Sequence, residues 1–128
     1  HALRRLLRQV LDTQVTALQA CQHESGLWHT LLDDRESYLE TSASAGFAYG
    51  IMKAVRKGYL SRDRLVIAEK ALHAVIRHIN PQGELTQVSF GTAMGKDLDY
   101  YRQIPLTSMP YGQAMALLAL TEYLRTYL

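Results

Sequence analysis

Three groups of side chains in this sequence are of types that can do chemistry at a ligand. The first is Trp28 with His29, in a β-prone stretch that opens Gly26-Leu27-Trp28. An indole offers a broad aromatic face on which a ring can stack, and otherwise serves as a packing anchor under a loop. His29, beside it, is either a binding group or a structural histidine. The second group is Thr41, Ser42 and Ser44, where a helix begins. A helix N-terminus presents unpaired N–H groups and partial positive charge, so hydroxyls beside it can hold ligand hydroxyls or a carboxylate. The same hydroxyls serve as N-caps, small residues there allow close packing, and both roles can coexist. Ser108 has the same two readings ahead of a later helix. The third group is Tyr100, Tyr101 and Arg102, joined by Tyr111. Aromatics with one Arg suit an acidic ring ligand, since a guanidinium pairs bidentately with a carboxylate. The competing reading is a loop pinned by buried rings.

The carboxylates are less informative. Asp33, Asp34, Glu36 and Glu40 share one stretch with Arg35. Paired carboxylates do the work in glycoside hydrolysis, but adjacent ones in a single loop read more simply as a solvated segment. Glu40 then becomes an acid suited to the dipole of the helix that follows. His23, His73 and His78 lack ligand spacing, so neither a metal nor a cofactor is expected. Cys21 reads as a small buried helix residue.

The totals exclude several classes. The formal charge is only +2 and the Lys and Arg residues are dispersed, which argues against nucleic acid as a partner. The longest uninterrupted apolar run, Ala114 to Leu120, is far too short to cross a bilayer. Apolar content of 48% and charged content of 20% describe an ordinary globular chain of one domain's length, or part of a larger domain. One cysteine suits a reducing, cytoplasmic setting. The chain begins at His1 without Met, and it is expected to be a piece of something longer.

Periodicity predicts four main helices of two kinds. The first covers about Ala2 to Gln22, with Leu3, Leu6, Leu7, Val10, Leu11, Leu18 and Cys21 on one stripe. The third runs from about Arg62 to Ile79, with Ser61 as N-cap and Leu65, Ala68, Leu72, Val75, Ile76 and Ile79 inward. The second, about Ser42 to Lys57, and the fourth, from near Ser108, are instead apolar nearly all round. Helices of that kind are covered on every side. Amphipathic and buried helices therefore alternate, as in two concentric layers. Extended pieces, Leu27 to Leu32 and Glu84 to Phe90, precede each inner helix. Thr41-Ser42 and Thr107-Ser108 lie 66 residues apart, with Gly46 and Gly112, and Ala48 and Ala114, at the same offset. Repeated units that cannot cover themselves stack with further copies.

The blocks GLWHTLLDDRESYLETSASAGFAYGIMKAVRKGYL and GTAMGKDLDYYRQIPLTSMPYGQAMALLALTEYL resemble the unsaturated rhamnogalacturonyl hydrolases, the family 105 glycoside hydrolases. That resemblance spans nearly the whole chain and implies an all-α (α/α)6 toroid, of which this chain would be two hairpins, the C-terminal third. It also implies hydrolysis of oligosaccharides capped by an unsaturated uronic acid, without a metal. An aspartic acid protonates the enol-ether double bond, water adds at the neighbouring carbon, and the product rearranges and releases the sugar. In the family the catalytic aspartates lie upstream of these blocks, so no catalytic residue is assigned here. Trp28, His29, Thr41, Ser42, Ser44, Tyr100, Tyr101, Arg102, Ser108 and Tyr111 are the expected substrate-binding residues, at the toroid mouth. The expected partners are the uronate-capped oligosaccharide and the rest of the toroid, or further copies of the chain. A non-catalytic helical binding or assembly module, and another (α/α)6 sugar-processing enzyme, are the alternatives.

Overall fold

The computed structural model describes residues His1–Leu128. Helix α1 spans Ala2–Cys21, α2 Thr41–Arg56, α3 Leu65–Arg77, the short α4 Leu98–Arg102, and α5 Pro110–Tyr127. Two small antiparallel ribbons link them. Strand β1 (Trp28–His29) pairs with β2 (Leu39–Glu40), and β3 (Val88–Ser89) pairs with β4 (Leu106–Thr107). The chain is therefore two helical hairpins, α1 to α2 and α3 to α5, each interrupted by a ribbon that feeds the second helix.

Helix α2 is the hub. It packs along both α3 and α5, and nine of its 16 residues are buried. Ala45 and Ala48, both at 0% exposure, keep its surface narrow where neighbours approach. One core gathers Ile51, Met52 and Ala48 of α2 with Val15 and Leu18 of α1 and Leu65 and Ala68 of α3. A second gathers Leu72 and Val75 of α3 with Leu85, Val88 and, from α5, Ala116 and Ala119. The Arg56 guanidinium on α2 donates to buried Glu122 on α5 at 2.6 Å. A carboxylate removed from water stays charged only with such a partner, so this pair fixes how α2 and α5 sit together.

Helix existence follows the sequence closely, while helix ends and outward faces depart from it in four places. Ser61 does not cap α3: a 3-10 turn, Arg62–Arg64, intervenes, and the Ser61 hydroxyl donates to Asp63 instead. The fourth helix begins at Pro110 rather than near Ser108. Proline disfavours helical geometry in the residue before it, and Met109 is extended, at φ −137° and ψ 149°. The Thr-Ser repeat therefore falls out of structural register, Thr41 opening a helix while Thr107 closes a strand. The loop before α5 also carries the unanticipated α4, capped by Asp97, whose carboxylate accepts from the Tyr100 N–H at 3.0 Å.

The fourth departure concerns apolar faces. Leu3, Leu6, Leu7 and Val10 lie on the expected inward stripe, yet they are 55–59% exposed. Arg8 already reaches the Gly58 carbonyl, just past the end of α2, at 2.7 Å. The turns before it overshoot the neighbours that this chain provides. Ile76 on α3 is likewise exposed. Helix α5 was expected to be covered all round, but Leu117, Leu118 and Leu124 are open, because α2 and α3 meet only its other side.

Candidate functional site

Both ribbons and the start of α2 converge on one point, and Glu40 is the reason. Glu40 ends β2 and caps α2: its carboxylate accepts from the Ala43 N–H at 2.8 Å and from the Ser42 hydroxyl at 2.7 and 2.8 Å. It also accepts from the Ser89 N–H, on β3, at 2.9 Å. One carboxylate thus ties the second ribbon to the N-terminus of the inner helix. Gln87 makes the second tie. Its carbonyl accepts from the Thr41 N–H at 3.1 Å, and its side-chain amide donates to the Leu39 carbonyl at 2.8 Å. Gln87 holds φ of 62°, a left-handed geometry that non-glycine residues adopt at some cost.

A cleft of about 400 Å³ opens at this junction, lined among others by His29, Ser42, Phe47, Ser89, Thr92 and Tyr111. His29 is nine-tenths buried, and its Nδ1 lies 2.6 Å from the Ser37 carbonyl. A carbonyl can only accept, so Nδ1 carries the hydrogen and Nε2, which has no protein partner, is left as an acceptor in the neutral ring. The Tyr111 hydroxyl donates to the Ser89 carbonyl and accepts from the Gly91 N–H at 3.2 Å. Tyr38 and Ser89 share a hydroxyl pair at 2.6 Å. The wall is largely apolar, with the rings of Phe47 and Tyr111, and carries a few hydroxyls and the His29 imidazole. Glu40 is its single carboxylate, and three donors consume it.

Of the residues singled out in the sequence, His29, Ser42 and Tyr111 come together in this cleft. Trp28 does not. It is 1% exposed, its indole N–H donates to the Leu18 carbonyl at 2.7 Å, and Phe47 meets its ring edge-on. No face of it is free to stack on a ligand, and Phe47 reaches the cleft in its place. Thr41 and Ser44 are fully buried. The Thr41 hydroxyl donates to the Thr86 carbonyl at 2.7 Å. The Ser44 hydroxyl donates to the Glu40 carbonyl at 2.7 Å and accepts from the Trp28 N–H at 3.0 Å. Ser108 is spent on the Leu85 carbonyl at 2.8 Å. These hydroxyls build the site's frame without facing a ligand.

The Tyr100-Tyr101-Arg102 group sits apart, on α4. Tyr100 lines an adjoining groove of about 470 Å³, which shares Gly91 and Thr92 with the cleft. Tyr101 meets Tyr100 edge-on, and its hydroxyl accepts from the Gly95 N–H at 3.0 Å. Arg102 bridges Asp34 and Asp99, at 2.6 Å each. The Asp34 hydrogen bond, then that from Asp99, holds the guanidinium more firmly protonated, and the same contact with Arg102 keeps the Asp34 carboxyl below its ordinary range. Arg102 is thus already neutralised and is a latch between two loops. No group of three or more His, Cys, Asp or Glu is arranged to hold a metal ion, and no helix is long and apolar enough to cross a membrane.

Sequence reasoning missed Glu40 as an organiser, and Phe47, Gln87, Ser89 and Thr92 altogether. Glu40 had a signal, being an acid three residues before Ala43 at a helix start. Ser89 and Thr92 carried none, because pairing between the two hairpins brings them to the cleft, and Gln87 acts beside it as a tie.

Comparison with known proteins agrees with this architecture. The family model of Glycosyl Hydrolase Family 88 matches residues 1–127. The unsaturated rhamnogalacturonyl hydrolase YesR of Bacillus subtilis is 41% identical over 117 residues, 91% of this chain and 32% of its own length. A crystal structure from Salmonella enterica serovar Paratyphi A, described as a possible GH105 member, superposes on all of this chain with a TM-score of 0.97 at 67% identity, and 34% of that chain is covered. A family 105 glycoside hydrolase from C. acetobutylicum gives a TM-score of 0.84 at 29% identity, over 94% of this chain and 38% of its own. The chain spans about a third of the length of these relatives. With its helix order and superposition, this is a partial (α/α)6 toroid, and the chain belongs to Glycosyl Hydrolase Family 88.

Proposed function

We propose that this chain forms part of the sugar-binding wall of an unsaturated rhamnogalacturonyl hydrolase, with the catalytic acid supplied by polypeptide outside it. The observation that carries this reading is the cleft's composition: an apolar wall with two aromatic rings, Phe47 and Tyr111, a few hydroxyls and one free imidazole nitrogen, with its single carboxylate fully engaged. Such a wall can orient a polyhydroxylated ring. The central cleft has no carboxyl group of its own free to give up a proton, which supports an acid supplied from outside it. The open faces of α1 and α5, and the span of only a third of the relatives' length, support a longer working polypeptide.

In the proposed reaction an aspartic acid protonates the enol-ether double bond of the terminal unsaturated uronyl unit. Water adds at the neighbouring carbon, and the resulting hemiketal opens to release the next sugar. His29 Nε2 is the unspent group of this chain that would meet the ring, beside Phe47, while the Ser42 and Tyr111 oxygens, their own hydrogens engaged by Glu40 and the Ser89 carbonyl, would serve as acceptors. The substrate class rests on the likeness to YesR. A cytoplasmic setting belongs to the same proposal, supported by the free Cys21. The test is to incubate the complete polypeptide with lyase-digested rhamnogalacturonan and follow the ultraviolet absorbance of the double bond. Loss of absorbance with release of a saturated oligosaccharide is expected. Folded protein that leaves the absorbance unchanged would overturn the assignment.

A further inference from the structure

The cleft at the start of α2 is not isolated. His29 and Leu32 also line a second, more polar cleft of about 570 Å³. Its walls come from three places: His23 and Glu24 just after α1, Asp33 and Arg35 in the loop between β1 and β2, and Lys70 on α3. The two histidine rings meet edge to face at 5.5 Å and are each held through Nδ1. His23 Nδ1 accepts from the Ser25 N–H at 3.1 Å, which leaves the hydrogen of its neutral ring on Nε2. His29 has the opposite tautomer, so its Nε2 accepts where that of His23 donates. Neither Nε2 has a protein partner.

The charges in this cleft are also unspent. Arg56, Arg64 and Arg102 all form ion pairs, whereas Arg35 and Lys70 form none. Glu24 and Asp33 make no ion pair either. Two free cations, two free carboxylates and a donor–acceptor imidazole pair make a poor apolar site and a good one for hydroxyls plus a carboxylate. With the groove beside Tyr100, which shares Gly91 and Thr92 with the central cleft, the three depressions run in series. That series exceeds the needs of a single sugar ring.

We infer that the His23–Lys70 cleft is a second saccharide subsite, which takes an acidic sugar unit further along the oligosaccharide whose unsaturated end occupies the central cleft. Arg35 and Lys70 hold the uronate carboxylate, and the imidazoles with Glu24 and Asp33 take ring hydroxyls. His29 is common to both clefts, so the oligosaccharide passes it between the two subsites. The inference rests on the function proposed above, and its test separates the two. Steady-state kinetics of the complete polypeptide are measured on unsaturated di- and tetrasaccharides for the parent, the Arg35→Ala/Lys70→Ala variant and Lys70→Arg. The double variant should raise KM for the tetrasaccharide about tenfold, the scale of a lost charge-assisted hydrogen bond, with kcat unchanged and the disaccharide unaffected. Lys70→Arg should stay near the parent on both. If the KM values for the two substrates move together, or neither moves, the subsite is refuted. A parent that turns over neither substrate refutes the proposed function itself.

Discussion

Replacing Glu40 with Ala tests the organisation of the site most directly. The carboxylate caps α2 through Ala43 and receives the N–H of Ser89, a residue only 5% exposed. Loss of an N-cap costs about 1 kcal/mol. A buried N–H left without an acceptor costs a further 1–3 kcal/mol, roughly. Glu40→Ala should therefore destabilise by about 3 kcal/mol, or lower Tm by roughly 10 °C on the scale expected for a domain of this size. Glu40→Gln keeps one carbonyl oxygen but turns an NH2 toward the other donor, so it should fall between parent and Ala. Thermal unfolding gives the order, and amide exchange gives the location: the Ser89 N–H should lose protection ahead of the α3 amides. An acid that merely complemented the helix dipole from solvent would be worth only about 0.3–1 kcal/mol. A Glu40→Ala loss within or below that range, with Ser89 still protected, would refute the claim that Glu40 joins the two hairpins.

The other predictions concern separate parts of the molecule. Trp28 is the only tryptophan, so its emission should be blue-shifted, poorly quenched by acrylamide and unchanged by bound oligosaccharide, and Trp28→Ala should cost about 3–5 kcal/mol by unfolding. Gly112→Ala should destabilise by about 1–3 kcal/mol despite alanine's better helix propensity, because its Cβ would meet Val88 Cγ2 at 2.8 Å. Gly46→Ala, where the new Cβ would meet only Met115 Sδ at 3.5 Å, should instead be neutral or stabilising by roughly 0.5–1 kcal/mol in the same assay. The Arg102 contact lowers the folded-state pKa of Asp34. Its stabilising contribution is therefore full above the ordinary aspartate range and is lost as pH falls through the lowered value. Below that range the Gly95 N–H bonded to Tyr101 should exchange faster, and Asp34→Asn should abolish the pH dependence.

The four main helices were legible in the sequence, because helical period and helix stop signals are local. Lys57-Gly58 ends α2 and Asn80-Pro81 follows α3 as their chemistry requires. The blocks around Trp28 and Tyr111 carried the family resemblance, and of the ten residues it suggested as substrate-binding, His29, Ser42 and Tyr111 line the central cleft. The errors share a cause. Trp28, Thr41, Ser44 and Ser108 were chosen for side-chain type at a helix entrance, but orientation there depends on what the second hairpin brings. Leu18, Thr86 and Leu85 supply the carbonyls that claim their donors.

Residue order alone thus determined the four main helices and which family the chain resembles, since these depend on spacing within short windows. The tertiary structure decided which polar groups remain free. Glu40 meets Ser89 across 49 positions and Arg102 meets Asp34 across 68, and those meetings occupy the most conspicuous acid and base near the cleft. A hydrogen-bonding group is available to a ligand only if folding has not already given it a partner, and that depends on contacts that no local window contains.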